Sequence, residues 1–305
     1  MQSNSPKRVI IIAGPTAVGK TSVAIQLARH FNTEIISADS RQCFREMNIG
    51  VARPSVEELN TVPHHFIATH SIHEEVTAAT FESYALRVAS ELFIKHDTVI
   101  MVGGTGLYIK AFCEGLDLIP AIDPAIRERI MNNYTSNGLV WLQQEIQQKD
   151  PAFYTSGEIQ NPQRMMRALE VVEGTGQSIL SFRRGQKAQR DFAIIKTALE
   201  LPKEELHRNI NTRADQMMEA GLLSEVQSLL PHKDLNALRT VGYSEIFDYL
   251  DDQCTLEQSI EKIKINTRQY AKRQMTWFRK DGEMRWFAPS AIEGIIDYVG
   301  MRDAS

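Results

Sequence analysis

The chain has 305 residues, 43% of them hydrophobic and 24% charged, with a formal net charge of −4. These are ordinary globular values, suited to one large domain or a domain carrying an insertion, and they argue against a protein coated in positive charge while leaving room for a local basic patch. Cys43, Cys113 and Cys254 stand far apart with no C-x-x-C pair, no apolar run approaches the roughly 20 residues of a membrane span, and MQSNSPKR lacks the apolar region of a secretion signal, so the expectation is a cytoplasmic protein without disulfides, zinc or a membrane anchor.

Along the chain, RVIIIA (8–13) is β-branched and continuously apolar, as a strand buried on both faces should be. A glycine-bracketed loop follows, and then TSVAIQLARHF with helical periodicity. TEIISAD (33–39) predicts a second short strand ending at Asp39. A helix over 81–96 leads into DTVIMVGGTG (97–106), a third strand closed by a glycine turn. This alternation predicts a parallel α/β sheet over the first part of the chain. From Pro120 the texture turns helical, with Asp123 a plausible N-cap and Pro124 near a helix start. FAIIKTALEL (192–201) again has the composition of a core strand, and helices are predicted over 206–230 and 259–280. The expected division is therefore a core of 1–120 and 190–305, ending in helices, with a helical insertion over 121–189.

The loop GPTAVGKT fits G-x-x-x-x-G-K-[ST] with Gly14, Gly19, Lys20 and Thr21 at the fixed positions. Backbone N–H groups, a helix N-terminus and the Lys20 charge suit a phosphate, and the Thr21 hydroxyl suits magnesium. On its own the loop points to ATP, GTP or some other diphosphate. In open α/β sheets ligands sit outside the carboxyl ends of the strands, where this loop, Asp39 with the following SRQ, and the GGTG turn all fall. Asp39 reads either as a carboxylate available as a general base or as a helix cap for SRQ, and the two roles are compatible. On spacing alone Arg213 belongs to a solvated helix face. Arg164 and Arg167 share a face, open either to RNA phosphates or to water. The stretch RQYAKRQMTWFRK (268–280) carries five basic residues (Arg268, Lys272, Arg273, Arg279 and Lys280) and no acidic one. Arg268, Lys272 and Arg279 fall near one face, and Ile260, Ile263, Thr267, Tyr270 and Ala271 follow a core-facing stripe, so the helix reads as a footprint for a polyanion or as a solvated basic face. His64 and His65 lack metal-ligand spacing with any other His or Cys.

Taken in order, GPTAVGKT, DSRQ (39–42), PHH (63–65), GGTGLY (103–108), NPQR (161–164), LRTVGY (238–243) and RQYAKRQMTWF (268–278) resemble the tRNA dimethylallyltransferase family, also called tRNA isopentenyltransferases. The resemblance spans nearly the whole chain. It implies a P-loop NTPase-like α/β fold, a parallel sheet flanked by helices with a helical insertion domain and a helical C-terminal region. It also implies transfer of a dimethylallyl group from dimethylallyl diphosphate to the exocyclic amine of the adenosine 3′ of the anticodon, in tRNAs reading codons that begin with U. The loop residues Gly14, Pro15, Thr16, Ala17, Val18, Gly19, Lys20 and Thr21 would then hold the donor's diphosphate and not ATP. Backbone N–H groups of 15–21, Lys20, Thr21 with Mg2+, and Arg213 would stabilise the departing charge, and Asp39 would be the base. The target base must leave its stack to reach such a site. Contacts to tRNA are expected from Asp39, Ser40, Arg41, Gln42, Thr105, Arg127, Gln163, Arg164, Met165, Met166 and Arg167, with Lys272 and Arg273 adding backbone contacts from the basic helix. The implied partners are the anticodon stem-loop and the prenyl donor, with no membrane and no obligate protein partner, the chain acting as a monomer. Three other readings of the loop are a small-molecule kinase using ATP, a transferase acting on free adenylate, and a non-catalytic RNA-binding protein.

Overall fold

The continuous β-branched run at the start forms β1 (Arg8–Ala13), in which Val9, Ile10, Ile11, Ile12 and Ala13 are fully buried. Val9 and Ile11 pack on one face of the sheet and Ile10 and Ile12 on the other, so past Arg8 the strand is buried on both faces. Truncating Ile11 to alanine removes about 2–5 kcal/mol of stability. The computed structural model describes residues 6–183, 185 and 187–303.

The chain runs from β1 into α1 (Lys20–His30), β2 (Ile35–Ser37), α2 (Val56–Thr61), β3 (His64–His65), α3 (Ala78–Leu92), β4 (Thr98–Val102) and α4 (Gly106–Glu114). Three helices follow, α5 (Pro124–Lys149), α6 (Pro151–Ser156) and α7 (Pro162–Thr175). Then come β5 (Ala193–Leu199), α8 (Lys203–Glu219), α9 (Leu222–Ser228), α10 (Ser244–Leu250), α11 (Leu256–Phe278), β6 (Arg285–Phe287) and α12 (Ile292–Asp303). The six strands form one parallel sheet in the order β3-β2-β4-β1-β5-β6, with Ile10 in register between Ile100 and Ile195. Helices flank it, as the sequence predicts.

Two strands escape the sequence pattern because they are too short to carry one. β3 has two residues, both histidine and half-buried, and β6 has three. The helix expected over 206–230 breaks at Gly221, whose φ of 99° separates α8 from α9.

The chain divides into two compact units. One runs to Glu114 and resumes at Gln189, and the other is Gly115–Ala188, compared with the expected span of 121–189. The second unit is built from α5, α6 and α7. Each of these helices opens on the same local device, a side-chain oxygen followed by proline. Asp123 accepts the Ala125 N–H at 2.9 Å, Asp150 accepts that of Phe153 at 3.0 Å and Asn161 that of Arg164 at 3.3 Å, with Pro124, Pro151 and Pro162 next in line. The proline gives up an N–H that has no intrahelical partner at that position, and the cap satisfies another. α5 bends at Gly138, where φ is 72°. Its buried Ile130, Leu142 and Ile146 meet Phe153 of α6 and Met165, Ala168 and Leu169 of α7.

Candidate active site

The loop between β1 and α1 takes a path that only glycine permits at its first position. Gly14 has φ of 140°, and a Cβ there would stand 2.8 Å from the Leu199 carbonyl oxygen. Lys20 is the first residue of α1, so its charge and the positive end of the helix face one cavity of about 340 Å3 at the carboxyl edge of the sheet. Its Nζ donates to the Pro15 carbonyl at 2.7 Å. Burial in this wall, with the nearby Arg213 adding to it and Asp39 opposing, pulls the lysine down to about 7. The Thr21 hydroxyl lines the same cavity.

The loop offers fewer donors than its length suggests. Pro15 has no N–H, and the Thr16 N–H is taken by Oε1 of Gln274 at 2.8 Å. The groups left to meet an anion are those of Ala17 to Thr21, a correction to the expected 15–21.

Asp39 sits just past β2 and does both things its position suggested. Its Oδ1 caps the following turn, accepting the N–H of Arg41 at 2.9 Å and of Gln42 at 3.2 Å. Oδ2 has no hydrogen-bond partner among the described residues. Thr105, in the glycine turn after β4, accepts the Ser40 N–H at 3.0 Å and donates to its hydroxyl at 3.3 Å, which ties that turn to the DSRQ segment. The Gln42 carboxamide is fully engaged, accepting from Ser37 at 3.2 Å and donating to the Val51 and Ala52 carbonyls at 3.2 and 2.9 Å. Arg41 donates to the Asn236 carbonyl at 3.1 Å.

Arg213 corrects its spacing. It lies on α8 at the border of the stripe formed by Leu206, Ile210 and Ala214, and it lines the cavity half-buried, with no ion pair among the described residues. Burial lowers its pKa, with Glu58 opposing. A position at the margin of a buried stripe looks the same in sequence whether it turns to water or into a cleft.

A second chamber of about 120 Å3 adjoins the first, and Thr16, Asp39, Val51, Ala52, Arg213 and Tyr270 line both. Its other walls are largely apolar, including Ile210, Met217, Val241 and Ile263. Tyr270 stands at the boundary, its hydroxyl pushed up to about 12 by burial and then by Asp39. A cationic pocket opening onto a small apolar one suits a ligand with a diphosphate head and a short hydrocarbon tail.

Several lining residues went unread in the sequence. The sequence puts Tyr270 on a core-facing stripe, Gln274 stands among the basic residues of its helix, and Arg53 and Glu58 carry no motif. His64 has no metal-ligand spacing. It lines the first cavity with Nδ1 bound to the Val62 carbonyl at 2.8 Å, and burial lowers its pKa. Among the described residues no group of three His, Cys, Asp or Glu could hold a metal.

The candidate RNA-facing residues divide by their partners. On α11, Lys272 and Arg273 are exposed, and the Arg273 guanidinium lies 5.7 Å from the Tyr270 ring centre. Arg279 is 3.5 Å from Glu200 and so is partly neutralised. In the second unit Arg164 pairs with Glu158 and Arg167 with Glu170 at 2.7 Å, whereas Arg127 makes no ion pair among the described residues. Arg127, Gln163, Met166 and Arg167 line a cavity of about 220 Å3 there. Met165 does not join them. It is fully buried in the core of its unit, because the helical period turns it inward between Arg164 and Met166, and its part is packing and not contact.

Comparison with known proteins bears on this arrangement. The family model for IPP transferase matches residues 42–281. A tRNA dimethylallyltransferase of Cytophaga hutchinsonii is 45% identical over 293 residues, covering 96% of each chain, and one of Christiangramia forsetii is 47% identical, covering 95% of this chain and 97% of that one. Among solved structures, the full-length tRNA isopentenylpyrophosphate transferase of Bacillus halodurans aligns with a TM-score of 0.73 at 33% identity, covering 98% of this chain and 97% of its own. A eukaryotic dimethylallyltransferase acting on tRNA aligns with a TM-score of 0.72 at 28% identity, covering 89% of this chain and 70% of that one.

Proposed function

The chain belongs to the IPP transferase family, and on that footing we propose that it transfers a dimethylallyl group from dimethylallyl diphosphate to the N6 amine of the adenosine 3′ of the anticodon, in tRNAs reading codons that begin with U. Its activity is tRNA prenylation, and the residues above supply the parts that this reaction needs. The observation that carries the reading is Asp39, whose Oδ2 is unengaged where a cationic chamber meets an apolar one.

The donor's diphosphate lies against Ala17 to Thr21, Lys20 and Arg213, and its five-carbon tail lies toward Val51, Met217 and Ile263. As the adenine amine attacks the allylic carbon, a nitrogen–carbon bond forms and the carbon–oxygen bond breaks. The diphosphate leaves with the electron pair, and the N6 proton passes to Oδ2 of Asp39. Adenine's amine is barely basic, so removing its proton during attack lowers the barrier. Charge builds on the diphosphate as it leaves, and donors already aimed at it need no reorganisation.

The donor set fits magnesium. One hydroxyl, Thr21, stands at the wall, and among the described residues no group of three carboxylates, His or Cys surrounds it, which suits an ion drawing its remaining ligands from diphosphate oxygens and water. When bound, the ion neutralises charge on the departing diphosphate.

An RNA acceptor gives a use to the exposed Lys272 and Arg273 and to Arg127, which makes no ion pair among the described residues. A kinase of small metabolites or a transferase to free AMP leaves them idle. No helix among the described residues is long and apolar enough to cross a membrane. The test is incorporation of label from dimethylallyl diphosphate into unmodified tRNA, with free AMP offered in parallel. Label in tRNA is the expected result, and label in AMP alone overturns the reading.

A further inference from the structure

One buried side chain joins three of the sequence motifs. Gln274 lies on α11, and only 6% of its surface is exposed. Its Oε1 accepts the Thr16 N–H of the phosphate loop at 2.8 Å, and its Nε2 donates to the Gly104 carbonyl of the glycine turn at 2.9 Å. The turn is shaped to receive it, since a Cβ on Gly104 would stand 2.2 Å from Nε2. The next residue, Thr105, holds Ser40 beside Asp39. The carboxamide thus fixes the wall that cradles the diphosphate and the turn that sets the base, and it does so from a helix whose exposed face carries Lys272 and Arg273.

We propose that Gln274 is a positioning residue for prenyl transfer, setting the phosphate loop and the glycine turn at the spacing in which Asp39 and the donor's reacting carbon meet. The role rests on the tRNA prenylation reading above. A carboxamide plays this part without any change of protonation, because its oxygen accepts from Thr16 while its nitrogen donates to Gly104. A misplacement of about 1 Å in such a constellation can cost on the order of 100-fold in rate.

The test compares Gln274→Met, which keeps length and volume but has neither group, with Gln274→Glu, which keeps an acceptor for Thr16. Protonated, the carboxyl group would also donate to Gly104. Ser259→Ala is the control. Ser259 is a buried residue on the same helix whose hydroxyl donates to the Glu245 carbonyl at 2.6 Å, away from the site. Expected for Gln274→Met is a fall in kcat on the order of 10- to 100-fold and a raised KM for dimethylallyl diphosphate, with tRNA affinity by filter binding retained. Gln274→Glu should regain turnover relative to wild type as pH is lowered, and it carries the test if the methionine variant does not fold. Wild-type kcat and donor KM in Gln274→Met overturn the proposal, as does an equal loss in Ser259→Ala at the same drop in melting temperature. Failure of the wild-type chain itself to prenylate tRNA overturns the functional reading instead.

Discussion

Oδ1 of Asp39 accepts the backbone N–H of Arg41 at 2.9 Å, and this bond leaves Oδ2 as the oxygen available to a substrate. Cap and base are therefore separable by mutation. In Asp39→Asn the amide oxygen can still cap the turn, while the basic oxygen is gone. Turnover should fall on the order of 10²- to 10⁴-fold, with tRNA binding and melting temperature held. Asp39→Ala removes the cap as well and should cost about 1 kcal/mol more in stability. Loss of tRNA binding in step with turnover in the asparagine variant would make Asp39 a structural cap.

Lys20 makes a prediction about pH. Its folded-state value of about 7 lies below the 10.5 of the unfolded chain, so between these values the unfolded state binds more protons. Stability attributable to this residue is therefore lowest below pH 7 and recovers as pH rises toward 10.5. Lys20→Met should be more stable than wild type at neutral pH, by a margin that narrows in alkali, while losing donor binding. In the wild type, diphosphate placed beside Lys20 favours its charged form, so binding above neutrality should take up a proton. Calorimetry in buffers of different ionisation enthalpy reads this directly, and heats independent of buffer would contradict it.

Arg213 has no ion pair among the described residues, and burial works against its charge. Arg213→Met should leave the melting temperature unchanged or higher. Turnover should drop on the order of 10²- to 10³-fold, the scale of losing one preorganised donor to a developing anion. Because Arg213 also depresses Lys20, the variant should move the lysine's titration upward. A destabilised but active variant would return Arg213 to a structural role.

Salt dependence separates free cations from paired ones. Among the described residues Lys272 and Arg127 make no ion pair, whereas Arg164 is bound to Glu158. Each phosphate contact removed should lessen the slope of log affinity against log salt by about 0.7–0.9. Lys272→Ala and Arg127→Ala should show that change, and Arg164→Ala a smaller one. Unchanged slopes would assign the first two residues to solvated faces.

The sequence carried the sheet because β1, β4 and β5 are long enough to show a largely apolar, β-branched run, broken in β5 only by Lys196 and Thr197. The two edge strands were too short for any periodicity to register. The phosphate loop and Asp39 were legible because their chemistry is tied to fixed spacing beside a strand. Arg213 was legible only through the family resemblance and Gln274 not at all, since a polar residue at the edge of a helical stripe gives no sign of whether it meets water or a cavity. Their roles depend on α8 and α11 being brought to the loop, which no local pattern records. Met165 erred in the other direction. The resemblance marks 163–167 as one contact segment, although the period of 3.6 residues turns its central residue into the core.

The central claim is transfer to one adenosine of tRNA. Unmodified tRNA and AMP should be offered together with dimethylallyl diphosphate and magnesium, and the products digested and mapped by mass spectrometry. A dimethylallyl group on N6 of the adenosine 3′ of the anticodon, with AMP unchanged, is the predicted result. The group on AMP, on another adenosine, or on neither would contradict it.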